Sequence, residues 1–165
     1  MSESSRGAEL RRAAAVGALT GLAGVAVMTG AEKAEQAFTR RPDSYVPGRA
    51  LLVLFGRSHG DQKRSFGWNH AMHWGTGALL GALRGLWAVT GIRGAQANIT
   101  HTVVRLSFDQ TVENTTGVGA PPSSWRSGEE LVDLAHKTIY SLVTGLLADR
   151  IISPTLRSRR GVTSH

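Results

Sequence analysis

The residues best placed to do chemistry are four polar side chains repeating every fourth position, His101, Arg105, Asp109 and Glu113. On a helix that spacing forms one ladder, in which Arg105 can pair with Asp109. Val104, Phe108 and Val112 follow the same spacing and are expected on the opposite face. In water this is an amphipathic helix with a solvated charged face. In a membrane the ladder must turn toward protein or a water-filled cavity, and it is then a candidate functional site. His70 and His73 form a second candidate set. His73 stands four residues before Gly77, so the histidines are expected on the glycine face and pointing inward. A buried histidine pair could hold a proton, bind a metal or hydrogen-bond structurally. The spacing matches no zinc motif, and cysteine is absent, so thiolate sites and disulfides are excluded. The candidate acid–base residues are therefore His70, His73, His101, Arg105, Asp109 and Glu113, with no cofactor and no metal expected. Glu32, Glu35, His136 and Asp149 could join them.

These side chains need helices to position them. Ala13 to Ala31 is a run of nineteen residues without a charge. As a helix it would extend roughly 28 Å, close to bilayer thickness. A core helix of a soluble protein and a cleaved signal peptide are the alternatives, the latter with Arg11 and Arg12 as its basic flank. The helical pattern continues through Phe38 and should end before Pro42. Ala50 to Phe55 is a short apolar run, too short to span, and predicts a short helix near 47–56. Gly56 to Arg64 reads as a polar loop. A second long helix runs from Ser65 or Asn69 to Thr90, carrying Trp68, Trp74 and Trp87 and interrupted by Arg84. A third covers about 95–113. A fourth starts near Ser127 and ends before Pro154. The order predicts an all-α, four-helix bundle embedded in a membrane, as one domain over 10–153. Residues 1–9 are expected to be disordered and 154–165 to form a basic tail.

Glycine explains how such helices could pack. The chain has 20 glycines among 165 residues. Gly77, Gly81 and Gly85 recur every four residues, and Gly17 and Gly21 form another pair. Each costs a water-exposed helix roughly 1 kcal/mol against alanine, so a stripe of them needs a packing reason. Close backbone approach between membrane helices supplies one, including a homo-oligomer through Gly77, Gly81 and Gly85.

The formal charge of +7 is partly gathered at the two ends. Basic ends suit an anionic membrane face, and no nucleic-acid-binding motif accompanies them. An even number of crossings puts both termini on one side, and the positive-inside rule makes that side cytoplasmic. Arg40, Arg41, Arg49, Arg57, Lys63 and Arg64 in the first loop oppose that orientation. Asn98-Ile-Thr and Asn114-Thr-Thr are glycosylation sequons that matter only in a secretory pathway.

The first helix ends in Met28-Thr29-Gly30-Ala31-Glu32, and the second contains His73-Trp74-Gly75-Thr76-Gly77-Ala78-Leu79-Leu80-Gly81-Ala82-Leu83. In these features the chain resembles the YagU-like small integral membrane proteins, which are similar in having a histidine ahead of a Gly-Ala-rich second helix. The resemblance implies a membrane location and a few helices, but no catalytic residue. Three roles are consistent with the sequence. One is a structural or accessory membrane protein. Another is a membrane-bound isomerase, cyclase or hydrolase of a lipid-like or terpenoid substrate. The third is a small proton-coupled carrier.

Overall fold

A computed structural model describes residues 3–57, 65–126 and 128–156. Among them the chain is all-helical, with five α-helices and no strand. They are α1 Glu3–Thr39, α2 Val46–Leu54, α3 Ser65–Thr90, α4 Gly94–Thr115 and α5 Glu129–Ile151, with one 3₁₀ turn at Pro122–Ser124. The loop expected at 56–64 and the tail at 154–165 lie largely outside the described residues.

Helix α1 begins at Glu3, not after residue 9 as the sequence suggested. Nothing in 3–12 breaks a helix, and Glu3 in the first turn complements the helix dipole. The Glu9 carboxylate also accepts a hydrogen bond from the Thr155 hydroxyl. At the other end Arg40 takes a left-handed conformation (φ 58°), its N–H bonded to the Gln36 carbonyl at 2.8 Å. Pro42 then prevents continuation. Of the described helices, α1 is the one long and apolar enough to cross a membrane by length and composition.

The tightest packing lies between α1 and α3, which run antiparallel. A Cβ added to Gly21 would lie 2.8 Å from the Gly81 Cα, and one added to Gly17 would lie 2.7 Å from the Gly85 Cα. Neither helix could carry a side chain there at this separation. The stripe expected to meet a second copy is thus covered by α1 of the same chain.

α5 packs along both α1 and α4, whereas α3 and α4 touch sparsely although only a short turn joins them. Large polar side chains fill the space between those two helices. Near the chain ends, Ala13, Ala88, Val89, Ala148 and Ile152 form one apolar cluster. Toward the other end a second cluster gathers Val25, Met28, Leu80 and Tyr140.

The faces of α4 differ from expectation. Val104 and Phe108 pack against the second cluster, beside the polar ladder and not opposite it. A step of three residues turns back only about 60° around the helix. The outward face is Ile99, Val103, Ser107 and Thr111.

Candidate functional site

The ladder on α4 faces inward along its whole length. Asp149 of α5 helps start this helix. The Gly94 N–H, in the first turn of α4, donates to Asp149 Oδ2 at 2.9 Å. That bond satisfies a backbone donor that a helix cannot satisfy itself. Gly94 has φ 77°, so the tight turn after α3 needs a glycine here.

Arg105 is 2% exposed, and its Nε donates to Asp109 Oδ2 at 2.9 Å. Asp109 also pairs with Lys137 of α5 at 3.3 Å, and Lys137 with Asp133 at 2.6 Å. Two cations and two carboxylates are thereby balanced across the α4–α5 contact. The Arg105 guanidinium lies over the Tyr140 ring, 4.9 Å from its centroid. The Tyr140 hydroxyl donates to the Gly77 carbonyl at 2.7 Å, tying α5 to the glycine stripe.

Beside this chain of charges is a pocket of about 30 Å³. His73 and Thr76 of α3, Arg105, Asp109 and Glu113 of α4, and Lys137 of α5 line it, with Pro47 and Met72 as its apolar wall. Its volume leaves room for about two waters. His73 is anchored toward α1, its Nε2 lying 3.3 Å from the Thr29 hydroxyl.

Four of the six candidates, His73, Arg105, Asp109 and Glu113, therefore meet at one pocket. His101 lies one turn deeper and is fully buried. Its Nε2 is 3.0 Å from the Leu80 carbonyl oxygen, so this nitrogen carries the proton. Its ring is 5.5 Å from Tyr140 and 5.9 Å from Trp87. His70 does not join them. It is exposed and meets Phe66 edge-on at 4.5 Å. The three-residue step from His73 carries it off the inward stripe.

Toward the chain ends a second polar cluster closes the space between α3 and α4. Arg84 is completely buried, and its Nη2 donates to Asp149 Oδ2 at 2.8 Å and to Asn98 Oδ1 at 3.2 Å. Gly145 makes room for it, since a methyl group there would lie 3.1 Å from Arg84 Nε. Arg93 adds a bond from Nη1 to the Ile152 carbonyl at 2.5 Å, and another to the Asp149 carbonyl. Asn98, the first sequon, is buried in this cluster and inaccessible to modification, whereas Asn114 is exposed.

Glu32 and Glu35 do not join the pocket. They meet Arg41 at 3.9 and 2.9 Å outside it. The hydrogen bonds from Arg41 and Thr39 hold the Glu35 carboxyl below its usual range. Lys137, Asp133 and Tyr140 were absent from the sequence candidates, although the Asp133–Lys137 spacing of four was visible. Among the described residues, no three His, Asp or Glu side chains converge as a metal ion requires.

The chain matches no protein-family model, no curated protein and no solved structure.

Proposed function

We propose that this chain is a small integral membrane protein, a four-helix bundle of α1, α3, α4 and α5, whose interior pocket exchanges protons. The supporting observation is an inverted distribution of polarity. Leu19, Leu79, Leu142 and Leu146 are exposed, while Arg84, Arg105, His101, Asn98, Thr20, Thr76, Ser141 and Thr144 are buried. Between Arg12 and Lys33, the exposed residues of α1 are Ala15, Leu19, Ala26, Val27 and Gly30. On α3 from 71 to 89 they are Ala71, Gly75 and Leu79, and on α5 from 131 to 148 they are leucines and Ala135. Arg84 and Lys137 in those stretches are turned inward. In water this arrangement forfeits apolar burial and also bears the cost of desolvating charge. In lipid it is the arrangement that lowers the energy. The apolar stretch on α1 corresponds to roughly 30 Å of helix, which matches the bilayer core.

The resemblance to YagU-like membrane proteins points the same way. With four crossings both termini share a face that carries Arg6, Arg11, Arg12, Arg93 and Arg150, while Arg40, Arg41, Arg49 and Arg57 lie at the opposite face. A scaffold needs only the glycine contact, whereas this interior also holds charges that are expensive to bury. The pocket is too small for a lipid or terpenoid, and its size fits a proton carried by water. Carrier chemistry therefore accounts for the site better than lipid isomerisation or hydrolysis.

Alkaline carbonate extraction of lysed cells tests the membrane reading. The protein is expected in the pellet, and its release into the supernatant would refute that reading. Proton exchange is tested by the pH jump response of the reconstituted protein with Glu113→Gln and Asp109→Asn, which should both slow it. Unchanged rates in both variants would remove the pocket from the proposal.

A further inference from the structure

The seam between α1 and α3 sets a scale of heights along the bundle. Gly17 stands opposite Gly85, Gly21 opposite Gly81 and Val25 opposite Gly77. Thr29 then meets His73. One further step of four residues brings Lys33 level with Asn69. Glu32 and Lys33 are the first charges after the uncharged run Ala13 to Ala31, so in a bilayer this is the height at which hydrocarbon gives way to headgroups. Both ends of α2 are tied to α3 here. The Gly48 N–H in its first turn donates to Asn69 Oδ1 at 3.0 Å. Just past its last turn, the Phe55 ring lies 5.7 Å from the ring of Trp68. The Arg57 guanidinium sits over the same Trp68 ring, 5.5 Å from its centroid. α2 buries Gly48, Ala50 and Leu52 against the protein, but Leu54 is 59% exposed and Phe55 65%. Arg57 is exposed as well, and none of the ion pairs among the described residues uses it.

We infer that the C-terminal end of α2 docks on the headgroup layer of anionic phospholipid, with Leu54 and Phe55 entering the lipid and Arg57 holding a phosphate. Each part of the cluster has a use at that height. Aromatic rings settle where one side is apolar and the other wet. The guanidinium stacked on Trp68 engages the ring with its flat face, and its N–H edges stay free. Two such N–H groups match two oxygens of a phosphate. With no carboxylate of the chain to neutralise it, Arg57 is complementary to a lipid with net negative charge. A zwitterionic headgroup brings its own cation beside the phosphate and gains less. An acidic protein would also attract Arg57, but it gives no reason for the cluster to stand where the uncharged run of α1 ends.

The inference rests on the membrane reading, and one experiment separates the two. The sequence has no cysteine, so Leu54→Cys supplies a single thiol for an apolar fluorophore and leaves Phe55, Arg57 and Trp68 in place. The full chain is reconstituted in vesicles of phosphatidylcholine and phosphatidylglycerol, with a chain nitroxide on one lipid or the other. Flotation with the vesicles reports insertion. If the protein does not float, the membrane reading fails. If it floats and the fluorophore is open to aqueous iodide but untouched by lipid nitroxide, the docking fails while the membrane reading stands. Shielding from iodide without lipid quenching would mark a protein neighbour and would equally overturn the docking. The inference expects lipid quenching, stronger from phosphatidylglycerol than from phosphatidylcholine. Arg57→Gln should reduce that preference roughly fivefold, the scale of one cation at an anionic surface, and Arg57→Lys should keep most of it. Both variants should melt as the parent does, since Arg57 is exposed. Equal quenching by the two lipids, or a preference indifferent to Arg57→Gln, would refute the phosphate contact.

Discussion

Two seams hold this molecule together, and they are built on opposite rules. Between α1 and α3, side chains are removed until backbone meets backbone, as at Gly17, Gly21, Gly77, Gly81 and Gly85. Between α3 and α4, the helices stand apart and the gap is filled with Arg84, His101, Trp87 and Arg105. The first seam gains from dispersion over a close contact and tolerates nothing extra. The second is held by directed bonds, each of which must find its partner, and it leaves room for a pocket. Tightness on one side of α3 fixes that helix, while the other side stays open enough for a pocket.

The largest effect should come from the glycine seam. Gly81→Leu forces a side chain into the α1 backbone and should cost about 3 kcal/mol or more, seen as loss of the monodisperse peak in detergent. A folded Gly81→Leu protein with an unchanged melt would mean that the close approach is not needed. Next is the polar seam. Arg84→Met leaves Asp149 without its buried cation and should destabilise by about 3 kcal/mol. Adding Asp149→Leu should recover part of that loss in a double-mutant cycle by chemical denaturation. Additive losses would show that the pair is not coupled. The third test concerns a side chain that touches both seams. Tyr140→Phe deletes the hydrogen bond to the Gly77 carbonyl and should cost about 1 kcal/mol, measured by thermal melting, with the Arg105 stacking intact.

The smallest effect lies outside both seams. Glu35 is held below its usual range by Arg41 and Thr39, and the same contact raises Arg41. A depressed carboxylate stabilises fully above its unfolded value and loses that contribution as pH falls through the folded one. Acidification below the usual glutamate range should therefore loosen the end of α1, read as faster amide exchange at 36–41, while the glycine seam stays protected. Glu35→Gln should produce the same loosening at neutral pH. Exchange that does not change in either case would show the clasp to be idle.

Much of this was legible because helices write their faces into local spacing. Pro42, Gly91, Gly94 and Pro154 marked the breaks, and the glycine stripe and the ladder from His101 to Glu113 could be read directly. The partner of each face could not. That Gly77–Gly85 meets Gly17–Gly21, and that Asp109 meets Lys137, depends on which helices become neighbours over long separations. His70 was misjudged, and so were Val104 and Phe108, because a three-residue step shifts a side chain just enough to change its surroundings. Arg84 read as an interruption of an apolar helix. Its meaning depended on Asn98, Gly145 and Asp149 converging from two other helices.

The bond from the Gly94 N–H to Asp149 bears on how the chain is made. The two residues are 55 positions apart. During synthesis α4 emerges first and must wait, its first turn lacking that acceptor, until the last turn of α5 has been added. The carboxylate that closes α4 also takes Arg84 of α3. Completion of α5 thus supplies the one carboxylate that fastens both α3 and α4 at this end of the bundle. Ending the chain a few residues short of Asp149 would also take Ala148 and Ile152 out of the apolar cluster, and it would leave three helices unfastened at one end.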